Sequence, residues 1–339
     1  MELSFNTLKE RRPMTLQTLA DHIGIVESHD RPDIIMNLSD LKMNDDLNIV
    51  VPSEGNYALT PWSRRQIANL LGIRFDRWFE NAANDEKAYE LNRRFNRANG
   101  QIKLRLTDMT DANADGTLKA FVSPTYSAVS DSMLSNLILH SVQQNDTQIP
   151  VIRANFTDKT VSYSIRIGDP YESLSSSAVG TIWGGVLIQN SGVGYASLSI
   201  SLHLMRLVCT NGMTAPVAGA TLLRRRHSGR PEADLWNQIS NVLQYVPERL
   251  GTAVNNLRQS QEKRIANPQH AIEAIIRQAH MPAKLAEPFM LAYAKEPHDT
   301  MFGVAQAITD FQTHEQLGLI PEDRKQLEDA AAEYLTNAV

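Results

Sequence analysis

A chain of 339 residues, 42% hydrophobic and 21% charged, carries enough apolar material for one large core or two ordinary ones, which excludes global disorder. No apolar run reaches the length of a membrane span and Met1 to Arg12 hold no signal-like apolar core, so a cytoplasmic setting is expected. A single cysteine excludes an intramolecular disulfide and any zinc site built on several cysteines, and no cofactor is implied.

The net charge of −5 is unevenly spread. Seven acids from Asp310 to Glu333 oppose only Arg324 and Lys325, so residues 310–339 carry −5 and residues 1–309 sum to zero. Two short segments are basic within that neutral part. Leu91 to Thr107 contains Arg93, Arg94, Arg97, Lys103 and Arg105 without an acid, and Leu222 to Arg230 contains Arg224, Arg225, Arg226 and Arg230 beside His227. Segments of one sign raise the local potential whatever the total charge.

In chain order, residues 1–55 show weak periodicity and read as an arm or cap. Thr60-Pro61 then opens a helix, with a hydroxyl cap and a first-turn proline, and Gly72 suits its left-handed end. A short helix bearing Phe75, Trp78 and Phe79 and a third over Asp85 to Arg97 are predicted next. The period then changes. Ile102 to Leu106 and Leu118 to Val122 alternate as strands, Ser130-Asp131 caps a helix running to Val142, and Val161 to Ile167 alternates again.

Thr181 to Gln189 and Tyr195 to Val208 form a predicted hairpin around Asn190 to Gly194. In its second strand Leu198, Ile200, Leu202 and Leu204 oppose Ser197, Ser199, Ser201 and His203, a pattern of an antiparallel sheet with one polar face. The phase slips at Met205-Arg206, which predicts a bulge there. From Ala233 onward the chain reads as helices punctuated by prolines. The fold class is α+β: a mostly antiparallel sheet with an embedded helix, flanked by N-terminal and C-terminal helical regions. The expected divisions are 1–55, 56–232 and 233–339.

Several constellations compete for a role. Asp111, Asn113, Asp115 and Gly116 copy half of a calcium loop, but Val122 stands where the closing glutamate belongs, so a polar turn explains them as well. Cys209 would need a base such as His203 or His227 to act as a nucleophile, and otherwise packs as a small apolar residue. Asp310 and His314 lie one helical turn apart, with His298-Asp299 before them, which is half a metal site or a tie between helices. Gln66 to Ile73 followed by Trp78 has helix-turn-helix spacing, although Arg74, Asp76, Arg77 and Glu80 would present a mixed face to phosphate. The basic segments favour nucleic acid more directly, since phosphate binding needs several Arg or Lys along one track. A solvated edge strand explains Arg224 to Arg226 equally well.

Four ordered pieces carry a family resemblance: Tyr57 to Thr60 with Leu71-Gly72-Ile73, Leu118 to Tyr126, Arg206-Leu-Val-Cys-Thr-Asn-Gly-Met213, and Phe302 to Thr309 with His314. Together they resemble the phage- and plasmid-associated proteins grouped as domain of unknown function 932, over most of residues 57–335. The resemblance implies a mobile-element origin and a cytoplasmic setting, and no assigned activity. The order of elements is also similar, at the level of fold only, to phage single-strand annealing proteins.

The expectation drawn from these readings is a non-enzymatic, oligomeric phage or plasmid protein that holds single-stranded DNA in a basic groove, for annealing or protection. Arg93, Arg94, Arg97, Lys103, Arg105, Arg224, Arg225 and Arg226 would meet phosphates, and Tyr126 and Trp183 would either pack in the core or stack on bases. The alternative is an interaction or inhibitory protein that engages a host or phage partner through the acidic C-terminal helices.

Overall fold

The computed structural model describes residues 14–73, 81–110, 112–142, 149–168, 181–207, 213–227, 229, 232–295, 297–314 and 321–336. The first helix, α1 (Leu16–Glu27), starts where Thr15 accepts a bond from the Thr18 amide and Thr18 answers it. Leu16, Leu19, Ala20 and Ile23 form its buried stripe. Four short strands follow, β1 (Ile34–Asn37), β2 (Lys42–Met43), β3 (Ile49–Val51) and β4 (Gly55–Leu59). Within the stretch read as an arm or cap, residues 14–55 hold α1 and the first four strands. Strands of two to five residues are too short to show a period.

Next come α2 (Pro61–Leu70), capped by Thr60 and closed by Gly72 at φ 64°, and α3 (Asn84–Phe95). The expected helix bearing Phe75, Trp78 and Phe79 falls largely outside the described residues. β5 (Gln101–Thr107) and β6 (Gly116–Val122) complete a six-stranded sheet in the order β1-β5-β6-β4-β3-β2. Every pair is antiparallel except β4 with β6. One face of this sheet forms a core with Ile67 and Ala68 of α2 and Leu91 and Phe95 of α3.

The embedded helix is α4 (Asp131–Val142), and its Ser130 hydroxyl accepts from the Met133 amide as a cap should. A second, fully antiparallel sheet is built from β7 (Val151–Phe156), β8 (Val161–Arg166), β9 (Thr181–Asn190), β10 (Leu198–Leu207) and β11 (Met213–Arg225), in the order β11-β10-β9-β8-β7. The strands of the described residues thus form two sheets where the alternation predicted one. The register slips between Ile200 and His203 against β11, while β10 pairs with β9 without interruption from Ser199 to Leu207. The irregularity therefore precedes Met205-Arg206, because it belongs to the β11 side of the ladder.

Among the described residues six α-helices follow: α5 (Glu232–Gln244), α6 (Val246–Glu262), α7 (Pro268–Gln278), α8 (Ala286–Lys295), α9 (Met301–His314) and α10 (Pro321–Thr336). They share one core with α1, α4 and the apolar side of the second sheet, including Leu198, Ile200, Leu202 and Leu204. The acidic α10 lies along β11 and buries Leu327, Ala330 and Ala331. No helix among the described residues is long and apolar enough to cross a membrane.

Candidate nucleic-acid interface

The two basic segments approach each other at the joint between the sheets. The loop after β9, residues 191–197, seats on the first sheet, where Val193 packs with Ala120 and Val122. From α2, Trp62 Nε1 and Gln66 Nε2 both donate to the Val193 carbonyl, at 3.0 and 2.9 Å. Arg105 donates to the Gly192 carbonyl, and the Tyr126 hydroxyl donates to the Ser191 carbonyl at 2.7 Å. Asp158, in the turn between β7 and β8, accepts from the Trp62 amide at 2.9 Å and so helps cap α2.

These bonds decide the fate of half the predicted cations. Arg105 is only 15% exposed and pairs with Asp33 at 3.1 Å, while Lys103 donates to the Tyr126 carbonyl at 2.6 Å. Arg93 and Arg94 both pair with Glu90 at 2.7 Å, one helical turn before them, and hold its carboxyl down at about 2. Arg94 also donates to the Leu71 and Gly72 carbonyls at the end of α2. Charges so engaged bring little net potential to a ligand. Arg97 is exposed and makes no ion pair among the described residues.

Tyr126 is also committed to structure. Its ring lies 5.3 Å from that of His227, and burial pushes its phenol up to about 12. Burial, and then the Arg105 and Arg225 charges, hold the His227 imidazole below its ordinary value against the pull of the Ser127 and Ala196 main chain. The expected stacking role of Tyr126 gives way to a tie between the segments.

The second basic segment behaves differently. Arg224 and Arg226 are exposed and form no ion pair among the described residues, whereas Arg225 between them is half-buried. Alternation along the end of β11 accounts for this, because odd and even positions face opposite sides. Arg224 sits opposite Ser199, and that row continues through Gln189 and Ser162 to Asn155, crossing all five strands with exposed or half-buried polar residues. Two rows away Arg166, Gly185 and His203 are in register. The Arg166 guanidinium lies 3.8 Å from the Trp183 ring, a cation–π contact that holds both on this face. The five strands contain Arg153, Arg166, Arg206, Arg224 and Arg225 and no acid. The alternating serines of β10 were the signal for this face in the sequence; Arg166 was missed because its distance from Arg224 along the chain conceals the shared sheet.

The other constellations resolve into structure where they can be seen. The Asp115 carboxylate accepts from the Asn56 amide at 2.7 Å, and the Asn113 carbonyl accepts from Asn48, so this segment is a pinned turn. Asp111, Cys209, Asn211 and Gly212 lie outside the described residues. Asp299 accepts from the Tyr293 hydroxyl at 2.8 Å, a tie between α8 and the segment before α9. Among the described residues no group of three or more His, Cys, Asp or Glu could hold a metal ion.

A family model described as a domain of unknown function (DUF932) matches residues 164–338. The match includes the Arg206–Met213 and Phe302–Thr309 pieces and leaves out those at Tyr57–Ile73 and Leu118–Tyr126. No curated protein and no solved structure gives a match. Running from β8 through α10, the match takes in more than half of the chain, and the protein belongs to the DUF932 family.

Proposed function

We propose that this protein binds single-stranded nucleic acid on the polar face of its five-stranded sheet. The observation that carries the reading is the row Arg224–Ser199–Gln189–Ser162–Asn155 on an acid-free sheet, with Arg224 and Arg226 exposed at its edge. A sheet face about 20 Å across is wide and shallow, so it suits bases laid against it better than a duplex groove. Hydroxyls and amides offer sequence-tolerant hydrogen bonds, the arginines neutralise phosphates, and Trp183 backed by Arg166 offers an aromatic surface. A cytoplasmic, mobile-element setting and an oligomeric state belong to the same reading.

The test is fluorescence anisotropy with a labelled strand of about 40 nucleotides across a salt series. Affinity is expected to fall linearly on logarithmic axes, and Arg224→Ala with Arg226→Ala should make the slope shallower by roughly 1 to 1.5. Arg93→Ala with Arg94→Ala should leave the slope unchanged, since α3 packs on the first sheet and not on the proposed face. Absence of binding at low salt, or a slope indifferent to Arg224 and Arg226, overturns the reading.

A further inference from the structure

Two carboxyl groups meet at the start of α4, and only one of them gains from the helix. Glu27, the last residue of α1, accepts from the Asp131 amide at 2.7 Å, the Ser132 amide at 3.2 Å and the Ser130 hydroxyl at 2.7 Å. It thereby takes the free N–H groups and the positive end of the helix dipole. The Asp131 carboxyl, in a residue 7% exposed, is left with Asn190. Asn190 Nδ2 donates to Asp131 Oδ1 and to the Val129 carbonyl, each at 2.9 Å.

Asn190 is fully buried, and its Oδ1 has no donor among the described residues. A carboxylate cannot supply one, because both of its oxygens are acceptors. A protonated carboxyl can. Facing a primary amide, it closes a ring of two bonds: amide N–H to carboxyl C=O, and carboxyl O–H to amide oxygen. An idle buried acceptor is costly, so the pocket is complementary to the neutral acid.

We propose that Asp131 and Asn190 form a proton-operated latch at the joint between the two sheets, closed when the carboxyl is protonated and loosened when it ionises. Asn190 ends β9 and leads directly into the loop, residues 191–197, that seats on the first sheet. Loss of the ring frees that loop at its root. The surroundings favour the same sense. Burial outweighs the Asn190 bond, and Glu27 of α1 adds repulsion, which together raise the Asp131 carboxyl to about 7. Lys119 of β6 and Arg105 of β5 pull the other way, but each is paired with its own carboxylate, Asp30 at 2.6 Å and Asp33 at 3.1 Å. Tyr163 of β8 is a buried phenol raised by burial and then by Asp131, and Asp234 of α5 is exposed. The latch is independent of any nucleic-acid role.

The test is carbon-13 NMR titration of the side-chain carboxyls in the full chain, with Asp131→Asn assigning the signal, and amide hydrogen exchange at two pH values corrected for intrinsic rates. Asp131 is expected to titrate at about 7, and Glu27→Gln should lower its midpoint. Protection of the Asn190–Ala196 amides should fall about tenfold from roughly pH 6 to pH 8 in the natural chain and stay constant in Asp131→Asn. An ordinary midpoint for Asp131, or the same loss of protection in Asp131→Asn, overturns the proposal. If Asp131→Asn does not fold, the Glu27→Gln chain assigns the shifted signal and the midpoint alone decides.

Discussion

Gly116 shows how closely single residues constrain the first sheet. A Cβ there would lie 2.4 Å from the Thr107 carbonyl oxygen and 2.9 Å from the Tyr57 ring. The glycine is required by the close approach of β5 and β4 on either side of it, and its backbone angle is ordinary. Gly116→Ala is expected to destabilise the protein by about 2 kcal/mol or more, read from urea unfolding midpoints, because one obstacle is main chain and cannot turn aside. The arginines follow a similar logic of neighbours. Arg93 is tied to Glu90 three positions earlier, a pairing visible in the sequence, whereas Arg105 is tied to Asp33, 72 residues away.

At the scale of elements, α4 and the loop after β9 share the Asp131–Asn190 bond, and this gives stability a distinct pH dependence. The folded-state carboxyl is raised to about 7 from its ordinary value of 3.8, so between those values the folded chain keeps a proton that the unfolded chain has lost. Stability from this group is therefore present at low pH and is lost as pH rises through the window, then levels above it. The loss is on the order of 2–4 kcal/mol. Asp131→Asn should gain on the natural chain at about pH 8 and match it near pH 4, in urea unfolding followed at both. A constant difference at both pH values would point to packing alone.

For the whole molecule, the acidic C-terminal helix is part of the core that joins β11 to the other helices. Leu327 is fully buried, and Ala330 and Ala331 nearly so. Removing residues 316–339 uncovers this surface, and burying one leucine alone is worth about 1.5–3 kcal/mol. The truncated chain is expected to lose its cooperative unfolding transition or to melt at least about 10 °C lower, measured by circular dichroism. A partner that bound α10 would meet its outward side with the core intact. An unchanged melting temperature would show instead that α10 is dispensable to the fold.

The sequence by itself determined the elements whose signals are local. Thr60-Pro61 and Ser130 start helices because a hydroxyl cap acts within three residues, and the serines and leucines of β10 separate into two faces because side chains alternate along any strand. Only the tertiary structure decided that β1–β6 and β7–β11 form separate sheets, since pairing depends on segments far apart in the chain. It likewise decided which cations remain available. Lys103 and Arg105 look as free as Arg224 in the sequence, yet the first two face Asp33 and the loop after β9, while Arg224 faces Ser199 on an acid-free sheet. Charge is a property of residue type, but its availability depends on the carboxylates and carbonyls that folding brings within a few ångströms.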